Sequence, residues 1–183
     1  MRVITGLARG RRLKEPRGDA IRPTADRVKE AIFNIVQFDV EGRRVLDLFA
    51  GTGQLGIEAL SRGAAGCVFV DESREACALI KENLARSGLT GGTVLQAEAL
   101  GYLRQGATFD LIILDPPYGT DLLEKALLRI FQFDILTEGG IIVCESGRET
   151  RLPDPSAPYV RGRDYSYGRA RLTVYTREGA AAR

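Results

Sequence analysis

Apolar positions in this chain follow two alternating periods. Short apolar runs predict strands near 44–48, 67–71, 92–96, 109–114 and 140–145. Between them the helical period predicts helices near 54–62, 73–87, 98–104 and 121–133. An earlier helix is expected from a cap at Thr24 or Asp26 to about Gln37, with Val28, Ala31, Ile32, Ile35 and Val36 facing inward. The stretch from Tyr159 to Thr176 has no helical period, and Leu172-Thr173-Val174-Tyr175 alternates as a strand. Two closing strands, one of them antiparallel, would complete a seven-stranded sheet. The alternation predicts an α/β fold: a Rossmann-like, doubly wound, mostly parallel sheet. Val3-Ile4-Thr5 and Arg11-Arg12-Leu13-Lys14, joined by a glycine-containing turn, predict an N-terminal β-hairpin extension. The expected organisation is a basic hairpin extension over 1–22, one domain over 23–178 and a disordered tail over 179–183.

Composition narrows the chemistry. There is no histidine, and Cys67, Cys77 and Cys144 are scattered, so Ser–His and Cys–His catalysis are excluded and no metal site is expected. No apolar run reaches membrane-spanning length and no signal peptide is visible, which predicts a cytoplasmic protein that does not engage membranes. A monomer is expected. The net charge of +2 is unevenly spread: residues 1–30 carry nine basic and four acidic groups, and residues 148–183 carry eight arginines and four acids. Those ends are +5 and +4, which leaves −7 for the middle. Basic ends around an acidic centre suit a protein that grips a polyanion at its ends and a cationic cofactor between them.

Two motifs locate the candidate chemistry. Asp115-Pro116-Pro117-Tyr118 follows the strand run Phe109–Leu114. An ionised Asp accepts hydrogen bonds and donates none. The prolines make a stiff turn that offers only carbonyl acceptors, and Tyr118 can stack on a flat base. This combination suits the exocyclic amine of adenine, cytosine or guanine. Upstream, Gly51, Gly53 and Gly56 form a dinucleotide-type glycine turn after the strand ending at Leu48, and Asp71 closes the next strand. An acid there suits ribose hydroxyls. Asp47 stands before the turn, where its carboxylate would repel a pyrophosphate and attract an ammonium. Taken together these features favour S-adenosylmethionine, without a metal, over NAD. Glu98 is either an acceptor for the adenine amine, with Ala99 beside the ring, or a helix-start acid favoured by the dipole.

With these residues in place, the chain resembles class I S-adenosylmethionine-dependent methyltransferases, and more narrowly the RsmD-type 16S rRNA guanine-N2 methyltransferases of bacteria. The resemblance covers nearly the whole length. The narrower match rests on Arg22-Pro23-Thr24-Ala25-Asp26-Arg27-Val28-Lys29-Glu30-Ala31-Ile32-Phe33-Asn34, on Arg2-Val3-Ile4-Thr5-Gly6 and on Tyr167-Gly168. It implies methylation of a guanine N2 amine in 16S rRNA, within the 30S subunit or an assembly intermediate. It also implies Asp115, Pro116, Pro117 and Tyr118 as the catalytic turn, with Asp47, Gly51, Gly53, Asp71, Glu98 and Ala99 around the cofactor. Arg9, Arg11, Arg12, Arg22 and Thr24 are the candidate RNA contacts. The competing expectations are a DNA adenine-N6 methyltransferase and a non-catalytic RNA-binding ribosome-assembly factor.

Overall fold

The computed structural model describes residues 1–16 and 26–178. Its elements are α1 (Asp26–Ile35), β1 (Arg44–Leu48), α2 (Gln54–Ser61), β2 (Gly66–Asp71), α3 (Arg74–Ser87), β3 (Gly92–Gln96), α4 (Ala99–Tyr102), β4 (Phe109–Leu114), α5 (Leu122–Phe133), β5 (Leu136–Gly147), β6 (Tyr159–Tyr167) and β7 (Ala170–Arg177). The strands form one seven-stranded sheet in the order β3-β2-β1-β4-β5-β7-β6. The first five run parallel, and β7 pairs antiparallel with both β5 and β6. The expected α/β sheet, with its single reversed strand, is therefore the sheet found. The strand order switches between β1 and β4, and open α/β sheets bind ligands at the carboxyl ends of strands beside such a switch.

Alternating side chains feed two apolar layers. Leu111 and Ile113 of β4 join Ile32, Phe33, Ile57 and Phe69 on one face, and Ile112 and Leu114 join Leu46, Leu127 and Ile130 on the other. Both layers exclude water, and that burial supplies the main drive for docking the helices. Among the described residues no helix is long and apolar enough to cross a membrane.

Several boundaries differ from expectation. Strand β5 runs from Leu136, not from 140, because Glu138-Gly139-Gly140 is a bulge inside the strand: Phe109 pairs with Leu136 but Leu111 with Ile141. Gly139 takes φ 72° there, a conformation open to glycine, and by pattern alone it reads as a strand break. Helix α1 stops at Ile35, and α4 is a single turn continued by a 3₁₀ turn over Leu103–Gln105.

The N-terminal hairpin is minimal, with one bridge between Arg2 and Arg12. Besides its own main-chain bonds, such as Val3 N–H to the Arg11 carbonyl at 3.0 Å, it is held by side chains of the helices. Glu58 accepts from the Ile4 and Thr5 N–H groups at 2.8 and 3.0 Å. The Ser61 hydroxyl accepts from the Ala8 N–H at 2.9 Å and donates to the Thr5 carbonyl at 2.6 Å. Asn83 accepts from the Lys14 N–H at 2.7 Å and donates to the carbonyls of Lys14 and Thr52 at 3.2 and 3.0 Å. Lys29, fully enclosed, donates to the Arg2 carbonyl at 2.6 Å, and burial lowers its pKa. A buried carboxylate is costly unless its oxygens are satisfied; Glu58 has the two amides and the Arg62 guanidinium at 2.8 Å. Val3, Ala8 and Leu13 of the hairpin then join the first apolar layer.

Candidate active site

A cleft of about 810 Å³ opens at the carboxyl ends of β1, β2, β4 and β5, a volume suited to a cofactor-sized ligand. One half is built by the β1–α2 loop and the end of β2. Gly51 and Gly53 take φ 53° and 76°, and a β-carbon on Gly53 would press on Ile80 at 3.0 Å. Gly56 serves packing: a β-carbon there would meet Phe69 at 2.3 Å and the Cys67 sulfur at 2.6 Å. Gly51 brings bare main chain to the cleft, beside Phe49, Ala50, Thr52, Gln54 and Leu55, which also line it.

The acids at the strand ends divide their tasks. Asp71 lines the cleft and fixes the loop, accepting from the Gly51 N–H at 2.8 Å and the Ser73 N–H at 2.9 Å. Asp47 lies behind the loop and outside the cleft lining, where its carboxylate accepts from the Gly56 N–H at 2.8 Å. Burial raises the Asp47 pKa to about 8; the Gly56 N–H opposes the shift, and the charges of Asp115 and Asp71 add to it. Sequence pattern puts Asp47 correctly at the end of β1 but gives no view of its enclosure. Glu98 lines the cleft and also caps α4, accepting from the Leu100 and Gly101 N–H groups at 2.9 and 2.6 Å. Ala99 lines the same wall.

The other half belongs to the turn after β4. Asp115, Pro116, Pro117 and Tyr118 all line the cleft. The Tyr118 hydroxyl donates to the Glu145 carboxylate at 2.6 Å, which ties the turn to β5. Thr120 donates to the Pro117 carbonyl at 2.9 Å. Glu145, Val28, Tyr167 and Arg169 also line the cleft, and sequence reasoning misses all four as site residues. Glu145 carries a readable signal, an acid ending an apolar strand as Asp115 does. Tyr167 and Arg169 flank the β6–β7 turn, and only the reversal of β7 brings that turn to this edge. Arg9, Arg11 and Arg12 are exposed on the hairpin and do not line the cleft. Arg22 and Thr24 lie outside the described residues. Among the described residues no group of three or more His, Cys, Asp or Glu side chains is placed to hold a metal ion.

The profile of the family described as conserved hypothetical protein 95 matches residues 1–176. The chain belongs to this family. Within the conserved hypothetical protein 95 family, ribosomal RNA small subunit methyltransferase D of Escherichia coli (strain K12) is 34% identical over 179 residues, covering 97% of this chain and 90% of that protein. YlbH of Bacillus subtilis (strain 168), which carries an rRNA methyltransferase name, is 42% identical over 184 residues, covering 98% of this chain and 100% of that one. The solved structure of YhhF from Escherichia coli, named as a methyltransferase, superposes with a TM-score of 0.85 at 33% identity, covering 97% of this chain and 98% of the other.

Proposed function

We propose that the protein methylates the exocyclic N2 amine of a guanine in small-subunit (16S) rRNA, with S-adenosylmethionine as methyl donor. The observation that carries this is the shared cleft: the Asp71–Gly51 wall and the Asp115–Tyr118 turn face one volume across the β1/β4 switch. The family relatives named for rRNA methylation support it. Among structures sharing only the fold, SMU.776, at 17% identity and TM-score 0.64, was solved complexed with SAH.

The residues present fit such a cofactor. Gly51 exposes bare main chain to the cleft, Asp71 offers acceptors for ribose hydroxyls, and Glu98 with Ala99 forms a wall for the adenine. Asp47 acts from behind by pinning the start of α2 through Gly56. When bound, S-adenosylmethionine supplies a sulfonium methyl whose C–S bond breaks as the amine nitrogen forms the new C–N bond, releasing a neutral thioether.

The chain's own residues handle the amine. Asp115 and the Pro116 carbonyl accept its two N–H bonds, which turns the nitrogen lone pair out of the ring plane. Asp115 then takes the proton lost as the nitrogen gains its methyl. Tyr118 stacks on the base and recovers part of the few kcal/mol spent in unstacking it. Alignment of the reactants accounts for most of the rate, about 7–11 kcal/mol in favourable cases. Arg9, Arg11 and Arg12 on the rigid hairpin contact RNA phosphates. We place the reaction in the cytoplasm, on a 30S subunit or an assembly intermediate, with the enzyme acting as a monomer.

The test offers labelled S-adenosylmethionine with undermethylated 30S particles, naked 16S rRNA or DNA. Label in one rRNA guanine, identified by mass spectrometry as N2-methylated, is expected. Label in DNA adenine, or in nothing, would sink the reading.

A further inference from the structure

The Asp115 turn accepts hydrogen bonds from any exocyclic amine and so cannot by itself choose among adenine, cytosine and guanine. We infer that Glu145 selects guanine, by accepting the N1–H of the base whose N2 amine lies at Asp115; this rests on the methyltransferase reading above.

Strand register supplies the placement. Ile113 pairs with Val143 and Leu114 with Cys144 in the parallel β4–β5 ladder. The next residues, Asp115 and Glu145, therefore stand abreast at neighbouring strand ends, roughly 4.8 Å apart by the usual strand spacing. Leu114 and Cys144 both enter the apolar layer with Leu127 and Ile130. Side chains alternate along a strand, so the pair after them turns to the opposite face, and both acids line the cleft. Glu145 is only 8% exposed, and the Tyr118 hydroxyl at 2.6 Å sets the orientation of its carboxylate.

Two carboxylates abreast are a pair of acceptors without a donor. Guanine presents two donors on adjacent ring positions, N1–H and the N2 amine. Adenine and cytosine carry a bare ring-nitrogen lone pair beside their exocyclic amine. Toward that lone pair a buried carboxylate makes no hydrogen bond, a deficit worth a factor of about ten to a hundred. Flipped bases are read in this way along their Watson–Crick edge. Glu145 thus supplies the discrimination that the proline turn lacks.

The experiment replaces the target guanine, in 30S particles reconstituted from rRNA carrying a synthetic segment, with 2-aminopurine. This base keeps the 2-amine but has a lone pair in place of N1–H. Wild-type kcat/KM is expected to favour guanine by at least about tenfold. Glu145→Gln can turn its amide to donate to the lone pair, so it should narrow that preference by at least about tenfold. Tyr118→Phe, which removes the tether but keeps the acid, should turn over more slowly with the preference intact. Equal wild-type rates on both bases would overturn the inference. So would a Glu145→Gln protein, folded by its melting curve, that loses both activities in proportion, since support of Tyr118 alone predicts that result. If Glu145→Gln does not fold, Glu145→Ala is read in its place: a preference narrowed by at least about tenfold supports the inference, and a proportional loss of both activities overturns it. No methylation of the guanine particle would instead fell the methyltransferase reading itself.

Discussion

Gly6 sits where a β-carbon would come within 1.8 Å of the Ser61 carbonyl oxygen. Its φ of 85° is also in the left-handed region. The hairpin can therefore lie this close to α2 only with glycine at that position. Gly6→Ala should destabilise the protein by about 2–4 kcal/mol, the range for forced overlap with backbone strain. Gly10→Ala, at φ 82° with nothing within 4 Å, should cost only about 1 kcal/mol. Urea melts of the two variants check the order; equal midpoints would show that the hairpin shifts freely to make room.

Asp115→Asn keeps the size of the side chain and removes its charge. Turnover is expected to fall by at least about a hundredfold, the lower end for lost acid–base assistance. Binding of S-adenosylmethionine should hardly change, because Asp71 and the glycine loop are untouched. Single-turnover methylation with calorimetric cofactor binding separates the two effects. Near-normal single turnover by a folded Asp115→Ala protein would return the turn to a purely structural role.

Tyr118→Phe retains the aromatic ring and deletes the hydroxyl that reaches Glu145. Tyr118 is 45% exposed, so the loss is discounted from a fully buried charged hydrogen bond. Turnover should drop by roughly threefold to tenfold, with cofactor affinity unchanged. Rates at saturating substrate measure this; an unaltered rate would mean that the ring is held without the tether.

Much of this arrangement is legible in the sequence, for physical reasons. Parallel βα units impose a repeating period, so the alternation of strands and helices along the chain and the strand-end positions of Asp47, Asp71 and Asp115 follow from pattern. The fastening of the hairpin is not legible. Glu58, Ser61 and Asn83 look like ordinary polar helix positions, and only the approach of a distant backbone buries them. Lys29 likewise looks like one more basic residue, yet it is enclosed between α1 and the hairpin. For Glu98 the pattern leaves open a cofactor contact or a helix cap; its carboxylate does cap α4, and it stays in the cleft wall while doing so.

The hairpin arginines give a salt-dependent prediction. Reversing Arg11 and Arg12 to Glu should weaken rRNA binding and flatten its salt dependence by about 0.7 slope units for each phosphate interaction removed on single strands. Their side chains are exposed and the hairpin is fastened by other groups, so the melting temperature should stay near wild type. Binding titrations across a salt series decide; unchanged slopes would make these arginines ordinary surface.

Asp47 predicts a pH dependence of stability. Its folded pKa, about 8, lies above the ordinary carboxyl value of 3.8. Between these values the folded protein holds a proton that the unfolded chain has released. That contribution is complete below about pH 4 and is lost as pH rises through about 8. Asp47→Asn removes the titration while leaving an oxygen to accept from Gly56. Its melting temperature should therefore decline less than that of wild type between pH 5 and pH 8. Parallel curves for the two proteins would place the Asp47 carboxyl in its ordinary range.

The reversed strand β7 carries a consequence for synthesis. It lies between β5 and β6, although it follows both in the chain. A growing chain can assemble β1 to β5, with the β1–α2 loop and the Asp115 turn, while β6 still has no sheet partner. The wall bearing Tyr167 and Arg169 takes its place only when β7 is made and slots in. A nascent chain therefore holds the walls at Asp71 and Asp115 before the wall bearing Tyr167 and Arg169, and the cleft is complete only when nearly all of the sheet has emerged.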